Sequence, residues 1–377
     1  MPNRWDLFCR VIDNYGDIGV SWRLARQLAA DHGLDVRLWL DDVVAFCRIY
    51  PAADPNLRVQ HHCGVAIHWW SEDCSGVEAA DVVIEAFGCE LPTHYIAAMT
   101  ARERPPLWLN LEYLSAEEWV EGCHGLPSLQ ANTLAKYFFF PGFTSKTGGL
   151  LRESSLIQRR KDFQSCEVHK ASFLQDLGVQ WSAASQLISL FSYENTGLST
   201  WLASLANAER SSHILVPEGR ILGDLANYLG VARIHLGRLY RRGVLSIQVL
   251  PFLSQDDYDR LLWACDFNIV RGEDSFVRAQ WAGRPFIWHI YPQEEGAHLI
   301  KLDAFLQRYC EGLSPDLRLA MKACWLAWNQ SQNCPASCFS LIGASPLLAG
   351  HAERWCGRQM AVENLADSLV QFQQNWL

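Results

Sequence analysis

The sequence predicts an α/β protein with two parallel sheets, and three observations support this class. Apolar runs of strand length alternate with amphipathic stretches of helix length along most of the chain, which is typical of repeated βαβ units. This alternation starts twice, at residues 5–12 and again at 187–193, and a polar turn follows each start. The chain has 377 residues, 49% of them hydrophobic, enough for two cores. We therefore expect two Rossmann-like domains that bind ligands where their strands end.

The composition narrows the class of protein. A net charge of −9 argues against a general nucleic-acid binder, which needs a basic face. No apolar run approaches the length of a membrane span, and no secretory signal precedes the first strand. The thirteen cysteines are scattered singly, which indicates free thiols in the cytoplasm. Cys334 and Cys338 are the closest pair, but no His or Cys partner set at zinc-site spacing lies nearby, so a structural zinc is not expected.

The first half opens with a strand at 5–12, a polar turn and a helix at 21–30. The glycines of the turn do not form a dinucleotide-binding fingerprint. Asp17 stands where a helix N-cap is expected, whereas Asp13, at the strand end, is suited to an Asx-type bond. Both carboxylates are also candidates for acid–base chemistry. Further strands are predicted at 35–40, 65–70, 81–87, 106–111 and 137–143, and a helix capped by Ser115 at 116–121.

The second half repeats the pattern after a connection expected near 153–172. Ser254 is the predicted N-cap of a helix at 255–264, and Ser314 followed by proline begins another at 315–329. An Asp-Tyr-Asp pattern at 257–259 falls inside the first of these helices, so a metal-binding role is not favoured. The other elements are strands at 187–193, 212–216 and 245–252 and helices at 198–206, 221–229, 346–359 and 361–376.

Residues 266–295 contain the clearest candidate site. A strand at 266–271, a turn at 272–275, a helix at 276–282 and a strand at 286–291 form one βαβ unit. The helix start could bind a phosphate, with Ser275 adding a hydroxyl and Arg271 a positive charge. Glu273 and Asp274 would repel a diphosphate unless they face sugar hydroxyls or a cationic acceptor. The alternative is purely structural, with Asp274 or Ser275 as N-cap and Glu273 as a first-turn acid.

Four motifs then resemble one family. FCRVIDNYGDIGVSWRLAR at 8–26, LWLNLEYLSAE at 107–117, PGF and TGGL within 141–150, and RGEDSFVRAQWAG at 271–283 are similar to the elongation factor P arginine rhamnosyltransferases. The resemblance implies a GT-B fold, in which two Rossmann-like domains face each other across a cleft and C-terminal helices pack back on the first domain. The expected domains are residues 1–160, which face the acceptor protein and are joined by the terminal helix 361–377, and residues 172–345, which hold the donor.

The resemblance also implies an activity. Members transfer rhamnose from TDP-β-L-rhamnose to one arginine of elongation factor P, inverting the anomeric centre without a metal or other cofactor. The modified factor rescues ribosomes stalled at proline runs. Asp17 is then the base or the carboxylate that orients the guanidinium, Asp13 supports its loop, and Glu273 is the second catalytic carboxylate. The implied substrate-binding residues are Asn14, Tyr15, Gly16, Phe191, Tyr193, Phe252, Gln255, Arg271, Asp274, Ser275 and Tyr291.

Two other functions fit parts of the sequence. One is a different nucleotide-sugar transferase with the same two-domain fold. The other is a non-catalytic protein that binds elongation factor P through an acidic cleft, although it leaves the paired carboxylates and the helix-end turn unexplained. A dehydrogenase is excluded because the dinucleotide fingerprint is absent.

Overall fold

A computed structural model describes residues 4–11, 15–70, 76–130, 134–332 and 346–376. The chain forms two compact units. The first comprises Met1–Ser154 together with Gln359–Leu377, and the second comprises Ser155–Arg358. The first unit is therefore discontinuous in sequence, since it takes its last segment from the C-terminal end of the chain.

The first unit is built on a mixed sheet of eight strands. Six of them are parallel, and short antiparallel strands close both edges, in the order β3-β4-β2-β1-β5-β6-β8-β7. The chain reverses its direction of winding between β1 and β5, which are neighbours in the sheet. The strands are β1 (Arg4–Cys9), β2 (Asp35–Leu40), β3 (Val59–His62), β4 (Val65–Trp69), β5 (Val82–Ala86), β6 (Leu107–Leu111), β7 (Pro127–Leu129) and β8 (Ala135–Phe139).

The second unit has a smaller sheet with the same type of winding. Five parallel strands lie in the order β12-β10-β9-β13-β14, and β11 pairs antiparallel with β12 at one edge. Because β9 comes first in sequence and lies between β10 and β13, the winding reverses at β9 and β13. The strands are β9 (Gln186–Leu190), β10 (Ser212–Pro217), β11 (Leu239–Arg242), β12 (Leu245–Leu250), β13 (Phe267–Arg271) and β14 (Phe286–His289).

Helices connect the strands in both units. In the first unit they are α1 (Gly16–His32), α2 (Val43–Ile49), α3 (Thr93–Thr100) and α4 (Trp119–Cys123). In the second they are α5 (Leu156–Gln164), α6 (Glu167–Asp176), α7 (Leu198–Ala206), α8 (Leu222–Leu229), α9 (Gln255–Ala264), α10 (Asp274–Trp281), a 3-10 turn (Glu294–Gly296), α11 (Ala297–Tyr309) and α12 (Pro315–Asn329). Helix α13 (Pro346–Met360) leads back to the first unit, to which α14 (Leu365–Trp376) belongs.

The predicted mixed α/β class with two mainly parallel sheets is confirmed. So is the packing of the terminal helix on the first domain. Gln27 of α1 donates a hydrogen bond to Asn364 just before α14 at 3.2 Å. Phe372 of α14 packs edge-on against Phe139 of β8, with ring centres 5.7 Å apart.

Three predicted helix starts are wrong. Helix α1 begins at Gly16 with Tyr15 as N-cap, so Asp17 lies in the first turn and is not the cap. Helix α10 begins at Asp274 with Glu273 as N-cap, and no side chain caps it. Helix α4 begins at Trp119 with Glu118 as N-cap. Ser115 is not a cap, because its hydroxyl accepts a hydrogen bond from the Glu117 N–H at 3.1 Å and forms a local turn.

Two ion pairs, one of them fully buried, connect helices of the second unit. Arg278 of α10 binds Asp259 of α9 through two hydrogen bonds of 2.9 and 2.6 Å, and both side chains are almost fully buried. Arg160 of α5 binds Glu353 of α13 through two hydrogen bonds of 2.6 Å. The second pair lies directly behind Gly283, whose backbone has a φ of 63°. The first pair connects α10 to α9, and the second connects α5 to α13 beside the end of α10.

Candidate active site

The candidate site of the second unit lies at the carboxyl ends of β9 and β13, where the winding reverses. Open α/β sheets bind their ligands at this position, because the connections on either side leave in opposite directions and open a crevice. Phe191 directly follows β9, and Arg271 is the last residue of β13. Both belong to the predicted substrate-binding set, and the structure brings them together.

Arg271 is the most informative residue in this crevice. Its guanidinium carbon lies 4.5 Å from the ring centre of Phe191 and 4.9 Å from that of Tyr193. The side chain is only 7% exposed, and its Nη1 atom is buried without a hydrogen-bond partner among the described residues. A buried guanidinium is normally paired, because an unsatisfied charged donor is costly. The arrangement therefore indicates a site for an anionic ligand.

The turn after Arg271 is held by its own contacts. Gly272 has a φ of 63°, which favours glycine, and its carbonyl accepts a hydrogen bond from the Trp288 indole at 2.7 Å. The Ser275 hydroxyl accepts from the Arg271 N–H at 3.2 Å and donates to the Arg271 carbonyl. That hydroxyl thus closes the turn that starts α10, and its direct contact with a phosphate stays a prediction.

The turn carries two carboxylates at the start of α10. Both Glu273 and Asp274 are partly buried at the start of α10. Asp274 accepts a hydrogen bond from the Gln255 side chain at 3.3 Å, which links the start of α10 to the start of α9. Phe252, in the loop before α9, is also partly buried. Gln255 and Asp274 are therefore neighbours, as expected if they share one ligand.

A neutral histidine forms the inner wall of this site. His289, at the end of β14, is 2% exposed and shares a 2.7 Å hydrogen bond with Ser192. Burial, with the positive charge of Arg271, lowers the pKa of His289 to about 4. Tyr193 packs edge-on against both His289 and Tyr291, at 5.2 and 5.6 Å. His289 is thus uncharged at neutral pH and adds no positive charge beside Arg271.

Three residues of this region are missing from the predicted site. Glu194 follows Tyr193 and accepts a hydrogen bond from Arg220 at 3.0 Å. Tyr258 of α9 packs edge-on against Phe191 at 5.5 Å. Burial would raise the pKa of Glu194, but its own N–H and the Arg220 guanidinium outweigh burial and lower it. Glu194 and Arg220 each follow a strand that ends at this edge, which is the signal that could have identified them.

The first unit contributes the other predicted residues. Asp17 lies in the first turn of α1 and is 3% exposed, next to the positive end of the helix dipole. The Tyr15 hydroxyl accepts a hydrogen bond from Arg48 at 3.1 Å, and Gly16 starts the helix. Asp13 and Asn14 lie outside the described residues. Because Asp17 and Glu273 belong to different units, their convergence on one acceptor stays a prediction.

Histidine, cysteine and carboxylate side chains are the groups that could together hold a metal ion. Among the described residues, no group of three or more of them is arranged to do so. Cys334 and Cys338 lie outside those residues. None of the described helices combines the length and apolar character needed to cross a bilayer.

Known proteins match this chain along its whole length. The model of the family described as elongation factor P (EF-P) rhamnosyltransferase EarP matches residues 5–374. A protein-arginine rhamnosyltransferase of Pseudomonas putida is 55% identical over 377 residues and covers 100% of both chains. One from Pseudomonas aeruginosa is 56% identical over 373 residues and covers 99% of both.

Solved structures agree with the sequence matches. A structure of EarP, described as the basis for EarP-mediated arginine glycosylation of translation elongation factor EF-P, has a TM-score of 0.72 and 42% identity and covers 99% of both chains. The MurG structure from Acinetobacter baumannii has a TM-score of 0.52 at 13% identity over 100% of both chains, which shows the shared GT-B fold only. The chain is therefore a glycosyltransferase of the GT-B fold and belongs to the EarP family of elongation factor P arginine rhamnosyltransferases.

Proposed function

We propose that this enzyme transfers rhamnose from TDP-β-L-rhamnose to an arginine of elongation factor P, with inversion at the anomeric carbon and without a metal. The acceptor is supported by the family description and by the arginine-specific names of the relatives. The modified factor would then act on ribosomes stalled at proline runs, in the cytoplasm. The described cysteines are all free thiols, which suits a reducing compartment.

The buried, unsatisfied Nη1 of Arg271 carries the donor half of the proposal. A diphosphate beside it would receive charge-assisted hydrogen bonds from the guanidinium and lie near the N–H groups at the start of α10. These groups would stabilise the negative charge that develops on the leaving diphosphate. The aromatic rings of Phe191 and Phe252 are suited to the flat face of a nucleobase.

The acceptor half depends on carboxylates. An arginine guanidinium is protonated at neutral pH, so its nitrogen lone pairs are poor nucleophiles. A carboxylate that binds two of its N–H groups would hold the charge on the far nitrogens. The reacting nitrogen could then attack the anomeric carbon, the carbon–oxygen bond to the diphosphate would break, and the carboxylate would accept the proton. Asp17 and Glu273 are the residues proposed for these roles.

The test is the intact mass of unmodified elongation factor P after incubation with the enzyme and TDP-rhamnose. We expect one added deoxyhexose, mapped to an arginine by peptide fragmentation. Binding of the factor without a mass change would favour a non-catalytic role. Thermal unfolding tests the donor separately, because a bound ligand stabilises the native state. TDP should raise the melting temperature more than UDP does, and the reverse result would favour another nucleotide sugar.

A further inference from the structure

An exposed ion pair lies beside the candidate donor site. Arg220 follows the end of β10, and its Nε lies 3.0 Å from a carboxylate oxygen of Glu194, which follows β9. The two side chains are 44% and 55% exposed. Exposed ion pairs contribute at most about 1 kcal/mol to stability. Stability therefore does not explain why this ion pair lies beside the candidate donor site.

The pair is placed by three adjacent strands of the sheet. Strands β10, β9 and β13 end at the same edge of the sheet. Arg220 follows β10, Tyr193 follows β9, and Arg271 is the last residue of β13. The guanidinium carbon of Arg220 lies 5.6 Å from the centre of the Tyr193 ring, and that of Arg271 lies 4.9 Å from the same centre. The loop that carries Arg220 also touches the site, since a Cβ on Gly219 would lie 3.1 Å from the Phe191 ring. Two guanidinium groups thus flank one aromatic ring where the winding reverses.

A diphosphate ligand would need more positive charge than Arg271 alone provides. A nucleoside diphosphate carries more than one negative charge, whereas Arg271 provides a single positive charge. A guanidinium group can donate two parallel hydrogen bonds to phosphate oxygens. A second arginine would therefore help to balance the negative charge of the diphosphate. The carboxylate of Glu194 faces Arg220, and, against the effect of burial, the positive charges of Arg220 and Arg271 both lower its pKa. Glu194 is therefore an internal anion close to the place where the ligand's anion is expected.

We propose that Arg220 is a second diphosphate-binding residue, and that Glu194 is an internal counter-ion which the diphosphate displaces from Arg220. This inference rests on the proposed nucleotide-diphosphate donor. It adds a binding residue to the predicted set and gives a role to a carboxylate that otherwise repels the ligand.

The test compares Arg220→Ala with Arg260→Ala by titration calorimetry on the full chain. Arg260 is a matched control in the same unit, because it is also exposed and pairs with a carboxylate, that of Asp257, at 3.3 Å. We expect Arg220→Ala to weaken TDP binding about tenfold, the loss typical of one charge-assisted hydrogen bond. Thymidine, which lacks the phosphates, should bind the variant and the wild type equally.

Two further variants sharpen the outcome. Arg220→Lys should restore part of the TDP affinity, and Glu194→Gln should bind TDP several times more tightly because a competing negative charge is gone. The inference is overturned if Arg220→Ala binds TDP like Arg260→Ala, or if it loses thymidine as strongly as TDP. A Glu194→Gln variant with unchanged or weaker TDP affinity overturns the displacement. If the wild-type protein does not bind TDP at all, the donor assignment itself fails, which is a separate result.

Discussion

Replacing Arg271 by methionine should separate ligand binding from stability. The Nη1 atom of Arg271 has no partner within the described chain, so its removal breaks no ion pair there. The variant loses two cation–π contacts of about 0.5–1 kcal/mol each but also removes a buried charge, whose burial is unfavourable. We therefore expect the free energy of unfolding to change by about 1 kcal/mol or less. TDP affinity should fall by about 1.5–3 kcal/mol, roughly ten- to a hundredfold.

Arg278→Met is the matched control, seven residues further along the same motif. This arginine is as buried as Arg271, but it is held by two hydrogen bonds to Asp259. Its removal leaves a buried carboxylate without its partner, which typically costs about 3–5 kcal/mol. At roughly 2–4 °C for each kcal/mol, the melting temperature should fall by about 10 °C. Thermal unfolding and TDP titration of both variants provide the measurement. The reasoning fails if Arg271→Met binds TDP normally or is destabilised as strongly as Arg278→Met.

Other perturbations test the remaining groups. Asp17→Asn and Glu273→Gln should each abolish rhamnose transfer, with far-ultraviolet circular dichroism unchanged; near-normal turnover in either variant would contradict its assigned role. Gly283→Ala should destabilise the second unit by more than about 2 kcal/mol, because its Cβ would lie 1.9 Å from a guanidinium nitrogen of Arg160. Gly230 has a similar φ but open space around it, so Gly230→Ala should reduce stability by only about 1 kcal/mol. Burial and a nearby arginine lower the pKa of His213 to about 4, so the unfolded chain binds its proton first and stability should fall as pH drops from about 6.5 to about 4. His213→Gln should flatten that slope in pH-dependent denaturant unfolding, and an unchanged slope would refute the assignment.

Elements with strong local signals are predictable from the sequence. Helices α9 and α12 begin as expected, because Ser254 and Ser314 accept the capping hydrogen bonds and Pro315 suits the first position. The sequence does not reveal α11, which follows Gly296 in a left-handed conformation and has no capping side chain. It also misses the edge strands β3, β7 and β11, which have three or four residues each and offer little periodicity.

The candidate site is predictable where one motif carries it. Arg271 and the residues at the start of α10 follow one another in sequence, so the sequence alone predicts that they lie together. The contact between Glu194 and Arg220 is different, since 26 residues separate them. It depends on β10 lying beside β9 in the sheet, and strand order is a property of the whole fold that no local pattern encodes.

The discontinuous first unit constrains the order in which this protein can fold during synthesis. Its sheet emerges from the ribosome early. Helix α14, which packs against Phe139, and Asn364, which accepts a hydrogen bond from Gln27 of α1, are translated only after residues 155–358. Residues 155–358 must therefore be synthesised before the first unit can complete its core. Until then, the apolar surface that α14 covers stays exposed on the nascent chain. A truncation that removes α14 would therefore leave the core of the first unit incomplete, although most of that unit is synthesised first.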